Sequence, residues 1–567
     1  MLGDVVKESN RSPIFDFADR LVDQLAARDP LFATELGLTE YADQLPDYSL
    51  AHQNEDERLL AEHLAALERL VPVDDVDRVA RDVMVERLSS ERDLLASGEW
   101  RRTFSVLNSP VSAIRQVFEL MPAASGSDVD VIVTRLNSVS SSLASWRDSL
   151  VEATADGLPP QRQVRGVAEQ AATYAAGAYA AYARRVAASA GVDVERSGLA
   201  AAAVRADLAC GDVATWLSSV VERCVEADGC GRERYAPWAA YWTGAALDLD
   251  ELYDWGWEES RRLHDRMVEV AAQIAPGRGL RATAEYLDHD PAQLVRGTDA
   301  LLERLHAFVE DAATRLDGVH FDIDPRVRFC DVRIAPEGSA AAPYYIPSSE
   351  DLARPGTTWY PTLGASEFAW WRFPSTWYHE AIPGHHLQFS ASLLAADRLT
   401  RFHRLRGWIS GYGEGWALYA ERFMDELGAF DQPAYEFDFL SNQALRANRI
   451  VVDLGLHLGL RAPHDLGSLG DLGDCSGRPW TAPMAVALLE EWAIQEPGMA
   501  SSEVDRYLGL PGQAIAYKVG ERRWLDVRAE SRRRLGSAFD LKSFHRYALE
   551  LGPLGLDLFA EEMRRFA

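Results

Sequence analysis

The sequence predicts a mostly α-helical protein that carries one small β-sheet. Apolar residues recur at spacings of three and four throughout residues 13–315, as in FADRLVDQLAARDPLFATELG and ERLLAEHLAALERLV. Helical periodicity returns from Pro374 to the C-terminus in at least six segments. Between these regions, HFDIDPRVRFCDVRIA, AAPYYIPS and TTWYP alternate branched or aromatic residues with polar ones. We therefore expect a three- or four-stranded sheet at about residues 320–361 within a helical body.

Two regions follow from this pattern. Residues 1–315 are predicted to be helical, and the alanine-rich run from Val164 to Ala190 carries tyrosines typical of tightly packed helices. Residues 316–567 hold the predicted sheet and the segments richest in chemistry. Because no internal repeat or long linker separates the two regions, we expect one integrated unit.

Size and charge exclude several classes of protein. A chain of 567 residues, 47 % of them hydrophobic, is long enough to bury about four-fifths of its surface on folding. The net charge is −29, from 58 basic and 87 acidic residues. Because phosphate binding needs clustered cations, this balance argues against a nucleic-acid or anionic-membrane partner.

Targeting signals and cysteine usage suggest a location. The sequence has no apolar window of about 18 residues free of charge, and its N-terminus lacks the apolar core of a secretion signal. Its five cysteines are scattered and form no CxxC pair, which is typical of reduced thiols. We therefore expect a cytoplasmic protein with no membrane partner.

A histidine cluster in the segment WYHEAIPGHHLQ carries the most specific signal. His379 followed at once by Glu380 is similar to the start of the HExxH motif, in which two histidines on one helix face bind Zn²⁺ and the glutamate acts on the water. In a continuous helix, however, His385 would lie about 120° away from the face of His379 and about 9 Å along the axis. His386 would return to that face, but at about 10.5 Å. Neither could share one ion with His379.

Pro383 and Gly384 interrupt this helix between the histidines. A proline ring clashes with the carbonyl four residues earlier, here that of His379, and glycine accepts backbone angles closed to other residues. The chain can therefore bring the rings together, with His385 as the second ligand. His386 is the alternative ligand, and an ordinary surface turn is the alternative to a metal site.

A third ligand is expected downstream, since catalytic zinc usually has three protein ligands. The helical segment GWISGYGEGWALYAERFMDELG carries Glu414 and Glu421 on nearly one face. We predict that Glu414, between two glycines and beside bulky aromatic residues, is the ligand. The surroundings of Glu421 are typical of a solvated turn, and its alternative role is to accept a hydrogen bond from a ligand histidine.

Two further segments offer groups that could stabilise an oxyanion or bind substrate. In RIVVDLGLH, the residues Arg449, Asp453 and His457 share one helix face. Either Arg449 and Asp453 form a buried ion pair, or Arg449 or His457 reaches the site as an electrophile.

The segment DRYLGLPGQAIAYKVG supplies Tyr507, Gln513, Tyr517 and Lys518, the last being one of three lysines in the chain. Tyr517 is a candidate oxyanion donor, with a packed core tyrosine as the alternative. Arg449, Gln513 and Lys518 are candidates for substrate binding.

Together these segments resemble a bacterial family known as domain of unknown function 885. HEAIPGHHLQ, GYGEGWALYAE, RIVVDLGLH and PGQAIAYK occur in the family's order, and the resemblance covers at least residues 344–520. That family is grouped with zinc metallopeptidases of the gluzincin type and is distantly similar to the thimet/neurolysin oligopeptidases and carboxypeptidase Taq. The resemblance implies a two-lobed helical body with a deep channel, of which residues 1–315 would form one wall.

The resemblance also implies individual roles. His379, His385 and Glu414 would be the metal ligands and Glu380 the general base. The small sheet would lie beside the metal, and its PYYIP segment, with Tyr345, would be an edge able to pair with an extended peptide.

The predicted function is a zinc-dependent hydrolase, a metallopeptidase that cleaves short peptides. Zn²⁺ would activate a water molecule, Glu380 would accept its proton, and His457 or Tyr517 would stabilise the oxyanion. The alternatives are a metal-dependent amidase or esterase acting on a small amide or ester, and a non-catalytic helical binding protein. We expect a monomer or a homodimer.

Overall fold

Helices built on this apolar periodicity dominate the computed structural model, which describes residues 12–152, 159–335, 342–349 and 352–567. The chain divides into two compact units. The first contains the residues up to Asp228 together with Leu399–Gly407, and the second contains Gly229–Arg398 and Trp408–Ala567. The boundary expected after residue 315 falls inside the second unit. The N-terminal segment considered for a secretion signal, up to residue 11, lies outside the described residues.

The first unit consists of helices packed around two apolar cores. One core centres on Trp146, whose ring meets Phe104 edge to face, and the other receives Phe402 from the late segment of the chain. The helices are α1 (Pro13–Arg28), α2 (Pro30–Glu35), α3 (Leu50–Glu68), α4 (Asp75–Ala96), α5 (Glu99–Arg102), α6 (Pro110–Val117), α7 (Gly126–Glu152), α8 (Gln161–Ala175), α9 (Ala178–Ala190), α10 (Leu199–Val220) and, later in the chain, α17 (Arg401–Arg406).

The second unit holds every residue of the predicted site. Its helices are α11 (Arg232–Thr243), α12 (Leu249–Ile274), α13 (Leu280–Asp288), α14 (Thr298–Leu316), α15 (Pro374–Glu380), α16 (His385–Leu394), α18 (Ser410–Glu426), α19 (Pro433–Leu458), α20 (Ala482–Trp492), α21 (Pro497–Gly509), α22 (Ala516–Leu535), α23 (Leu541–Glu550) and α24 (Leu556–Met563). The mostly α fold predicted from the sequence is confirmed.

The predicted small sheet is present with three strands, and a second sheet of two strands lies outside the predicted range. Strand β4 (Thr357–Tyr360) lies between β2 (Asp331–Ile334), which is parallel to it, and the antiparallel β3 (Tyr344–Ile346). A separate antiparallel pair joins β1 (Leu294–Arg296) to β5 (Glu367–Ala369), so one strand arises where only helix was expected. Residues 322–330 form turns rather than strand, and residues 336–341 and 350–351 of the predicted range lie outside the described residues.

Close helix packing in the second unit depends on glycine. Helix α18 packs against α22. A Cβ atom on Gly415 would lie 2.5 Å from the Cα of Gly520, and one on Gly520 would lie 2.0 Å from the carbonyl oxygen of Gly411. Because no side chain fits between the two backbones, these glycines set the position of Glu414 on α18 and of Tyr517 on α22. Among the described residues, no helix combines the length and apolar character needed to cross a bilayer.

Candidate metal centre

The helix that carries the first histidine is interrupted where Pro383 and Gly384 predict a break. Helix α15 ends at Glu380 and α16 begins at His385, and the peptide bond that precedes Pro383 is cis. Gly384 has a φ of −74° and a ψ of −131°, a combination outside the helical and extended regions, as the sequence predicts for glycine at this break. A Cβ atom there would also lie 1.8 Å from the carbonyl oxygen of His379. Glycine is needed because the backbone folds back onto the end of α15.

Trp416 holds this break in place. Its indole N–H is directed at the carbonyl oxygens of Pro383, at 2.9 Å, and Gly384, at 3.1 Å. The ring is fully buried and lies on α18, two residues after Glu414. The helix that supplies the predicted third ligand therefore also fixes the segment between the first two.

The three predicted ligands converge. His379 Nε2 lies 3.3 Å and His385 Nε2 lies 3.5 Å from Glu414 Oε2, and one ligand atom from each residue lies within 4.8 Å of the other two. Ligand atoms around a tetrahedral Zn²⁺ with bonds of about 2 Å are about 3–3.5 Å apart. The two short separations fit that requirement.

Glu414 also carries a buried oxygen without a hydrogen bond in the described part of the chain. Its Oε2 is buried and has no hydrogen-bond partner among the described residues, although two imidazole nitrogens face it. A buried carboxylate oxygen without a partner is costly unless a cation lies against it. The residues present therefore fit a bound metal ion.

Glu421 orients the first histidine. Its Oε1 lies 2.8 Å from His379 Nδ1, while its Oε2 accepts hydrogen bonds from Ser375 Oγ, at 2.7 Å, and Gln443 Nε2, at 3.4 Å. A proton on Nδ1 leaves Nε2 as the ligand atom, which is the usual role of such a carboxylate. Only 1 % of Glu421 is exposed, so the expectation of a solvated turn was wrong. Apolar helices cover this side of α18.

The electrostatics of this group favour positive charge. Burial opposes a charge on His379, but the contacts with Glu414 and Glu421 outweigh it and raise the pKa of His379 to about 9. Burial likewise opposes the charge of Glu414, yet the two histidines hold the pKa of that carboxyl well below its usual range. The carboxylates of Glu414 and Glu421 thus lie beside the two imidazole rings, a charge distribution that suits a cation.

Glu380 stands beside this group without belonging to it. Its carboxylate is half-buried, and no hydrogen-bond or ion-pair partner for it exists among the described residues. Burial raises the pKa of Glu380, while the nearby His379 and His385 act in the opposite direction. A carboxylate in such a position beside a candidate metal centre is available to accept a proton from a bound molecule.

His386, the alternative ligand, faces away from the group. Its Nε2 donates to the carbonyl oxygen of Val327 at 2.7 Å, and its Nδ1 lies 2.9 Å from the hydroxyl of Tyr345. Burial lowers the pKa of His386 to about 4, so the ring is neutral. The structure thus brings His385, and not His386, to Glu414. The hydroxyl of Tyr345 is held by His386, and the role of Tyr345 in binding a substrate stays a prediction.

His457 is not part of the site. Its Nε2 donates to the carbonyl oxygen of Tyr507 at 3.1 Å, and its Nδ1 accepts from the backbone N–H of Cys230 at 3.3 Å. Gln443, which contacts Glu421, precedes His457 by 14 residues of α19, or about 21 Å along the axis. The prediction that His457 stabilises an oxyanion is therefore corrected. Both ring nitrogens serve packing between helices.

The expected ion pair between Arg449 and Asp453 does not form. Arg449 pairs with Glu503 at 2.7 Å, whereas Asp453 accepts hydrogen bonds from Tyr235, at 2.6 Å, and from the backbone of Gly512, at 3.1 Å. Arg449 and Asp453 lie on the same face of α19, but different neighbouring elements supply the partner of each.

The remaining candidates, Tyr517, Gln513 and Lys518, differ in how far their side chains are already bound by the protein. Burial, together with the nearby Glu414 carboxylate, raises the pKa of Tyr517, and its hydroxyl has no hydrogen-bond partner among the described residues. Gln513 accepts from Arg506 and lies 3.5 Å from Ser410 Oγ. Lys518 is corrected, because it is buried and paired with Glu521, Glu259 and Gln443 instead of facing a substrate.

Other residues near the site were not predicted. Gln443 links Lys518 to Glu421, and Arg446 lies one turn further along α19. The three-residue spacing between Arg446 and Arg449 is the sequence signal that could have identified Arg446, since it places both arginines on one helix face. Phe389 and Trp408 stack at 5.0 Å beside His385, with ring centroids 6.2 and 6.0 Å from the imidazole.

A family model described as a bacterial protein of unknown function (DUF885) matches residues 30–563. The chain belongs to this family. The match shows that the motifs around the candidate centre are parts of a DUF885 protein and extends the resemblance to most of the chain. Comparison with curated proteins gave no match.

Two solved structures share the fold of this DUF885 protein. A "putative lipoprotein" from Colwellia psychrerythraea is 20 % identical, with a TM-score of 0.83, over 97 % of this chain and 98 % of that one. A "putative lipoprotein of unknown function" from Shewanella oneidensis is 18 % identical, with a TM-score of 0.75, over 98 % of this chain and 100 % of that one.

These neighbours correct the expected location. Both are described as lipoproteins, a class defined by attachment to lipid rather than by a place in the cytoplasm. The cytoplasmic assignment, which rested on scattered cysteines and on the absence of a secretion signal, is therefore withdrawn for this DUF885 protein.

Proposed function

We propose that this protein is a zinc-dependent hydrolase of the gluzincin kind that cleaves short peptides. The observation that supports the proposal most strongly is the buried Oε2 of Glu414, which lacks a hydrogen-bond partner among the residues described while His379 Nε2 and His385 Nε2 face it at 3.3 and 3.5 Å. Two imidazoles and one carboxylate suit Zn²⁺ in a catalytic site, where three protein ligands leave one position for water or substrate.

The surrounding residues would perform the chemistry. Zn²⁺ bound by the three ligands would act as a Lewis acid. It would lower the pKa of a water molecule towards about 7 and polarise a carbonyl group. Glu380 accepts the proton of the attacking water and passes it to the leaving nitrogen. Tyr517 donates a hydrogen bond from its hydroxyl to the developing oxyanion, since that hydroxyl has no hydrogen-bond partner in the part of the chain that the structure describes and lies near Glu414. Glu421 holds His379 in place throughout.

Features beside the ligands suit a peptide. Strand β3 is the edge of its sheet, and Tyr345 on that strand contacts His386, the neighbour of a ligand. An edge strand offers backbone groups to an extended chain. Trp408, 38 % exposed, and Phe389 form an aromatic surface next to His385. These features favour a peptide with an apolar side chain over a small ester or amide.

Removal of the metal tests the proposal. Dialysis against a chelator is expected to abolish hydrolysis of a panel of short peptides, and one equivalent of Zn²⁺, but not Mg²⁺, is expected to restore it. The panel includes matched esters and small amides. Cleavage of those alone would support the amidase or esterase alternative, and zinc-loaded protein that cleaves no member of the panel would overturn the proposal.

A further inference from the structure

A cluster of three arginines lies next to the candidate metal centre. The arginine cluster consists of Arg446 and Arg449 on α19 and Arg506 on α21. Arg449 Nη2 and Arg506 Nη2 share one carboxylate, Glu503, at 2.7 and 2.9 Å. Tyr507 donates to the same carboxylate at 2.5 Å. Two guanidinium groups are therefore neutralised by one anion.

Arg446 adds a further positive charge. Its Nη1 donates to the backbone and side-chain oxygens of Asn442 at 3.2 and 2.7 Å, and no carboxylate lies within 4.0 Å of it among the described residues. Arg446 Nε and Arg449 Nη1 are both buried donors without a hydrogen-bond partner there. Buried charges and donors of this kind are costly unless an anion satisfies them. The buried donors without hydrogen bonds, and the lack of a carboxylate in direct contact with Arg446 among the described residues, point to an anionic ligand.

The arginine cluster reaches the candidate metal centre through Tyr517. The Arg449 guanidinium carbon lies 4.6 Å from the centroid of the Tyr517 ring, and burial, together with the nearby Glu414 carboxylate, raises the pKa of the same tyrosine. Gln443, which contacts Glu421, lies three residues before Arg446 on α19. A ligand held by the cluster would therefore lie beside a molecule bound at the metal ligands.

We infer that the arginine cluster binds the α-carboxylate of a peptide substrate, so that cleavage occurs near the peptide's C-terminus. The guanidinium fork matches a carboxylate with two parallel hydrogen bonds, and Arg446 is the one member of the cluster with no carboxylate of its own. The peptide part of the inference rests on the proposed function. The preference for a carboxylate rests on the charges of the arginine cluster.

Binding measurements on a non-hydrolysing protein test this inference. Zinc-loaded and zinc-free Glu380→Gln protein is titrated with Ala-Ala-Phe as the free acid and as the C-terminal amide. We expect the free acid to bind about 10- to 100-fold more tightly, the range of charge-assisted hydrogen bonds. Adding Arg446→Gln is expected to remove most of this preference, and Arg446→Lys to restore part of it. Arg532→Gln, at an exposed position of α22, is the matched control and should leave the preference unchanged.

The outcomes separate this inference from the proposed function. Equal binding of acid and amide, or a preference that survives Arg446→Gln, would overturn the inference even if the wild-type protein hydrolyses peptides. If the protein binds no zinc but still prefers the free acid, and Arg446→Gln removes that preference, the inference is supported while the proposed function fails. With wild-type protein, products that shorten peptides from the C-terminus would support it, and internal cleavage of free acids and amides at equal rates would contradict it.

Discussion

Replacing Glu380 by glutamine is expected to lower the rate of peptide hydrolysis by about 10²–10⁴-fold while the protein keeps its zinc. Glutamine has the shape of glutamate but cannot accept the proton of the attacking water. Glu380 lies outside the group formed by His379, His385 and Glu414, so the metal ligands are untouched. Turnover on the best peptide of the panel and zinc content, measured on the same preparation, check the result.

The matched control is Glu258→Gln, at an exposed position of α12 in the same unit. It removes one negative charge without touching the site and should leave both turnover and zinc content unchanged. If Glu380→Gln hydrolysed peptides at the wild-type rate, Glu380 would have no part in proton transfer. If it lost zinc, Glu380 would belong to the ligand set.

Substituting alanine for Gly384 is expected to abolish stoichiometric zinc binding and to lower the free energy of unfolding by about 1–3 kcal/mol or more. The added Cβ would lie 1.8 Å from the carbonyl oxygen of His379 and 2.4 Å from that of Tyr378, so the backbone would have to move. Moving this segment separates the His379 and His385 rings. Denaturant unfolding and equilibrium dialysis with zinc measure the two effects.

Gly498→Ala is the control for this change. Gly498 lies in the first turn of α21, and a Cβ there would meet nothing within 4 Å. Alanine is the better helix former, so stability should hold or rise slightly. Wild-type zinc affinity in the Gly384→Ala protein would show that the close backbone approach does not position the ligands.

The grouping of His379, His385 and Glu414 could be predicted because local sequence encodes their geometry. The Pro383–Gly384 interruption indicated that two histidines six residues apart could meet, and the glycines around Glu414 marked a crowded helix face. The reason for those glycines could not be predicted. Gly413 makes room for the ring of Trp408, at 2.0 Å from its added Cβ, and Gly415 for the backbone of Gly520, and both neighbours depend on the tertiary fold.

The errors concern partners that lie far away in the sequence. Periodicity placed Arg449, Asp453 and His457 on one face of α19, and it did so correctly, but it gave no information about which element covers each turn. The covering elements supply Glu503 for Arg449, Gly512 for Asp453 and Cys230 for His457. Lys518 was misjudged for the same reason, because its partner Glu259 lies on α12. Helical spacing predicts the face of the helix on which a side chain lies. The elements packed against that face decide which hydrogen bonds and ion pairs the side chain forms.

Zinc stoichiometry in a pair of adjacent histidine variants tests the central claim most directly. Equilibrium dialysis of the wild-type protein is expected to give one zinc ion per chain. His385→Gln is expected to lose that ion, because its Nε2 faces Glu414, and His386→Gln to keep it, because its ring is bound to Val327 and Tyr345. A wild-type protein that binds no zinc, or a site lost with His386 and kept without His385, would contradict the account.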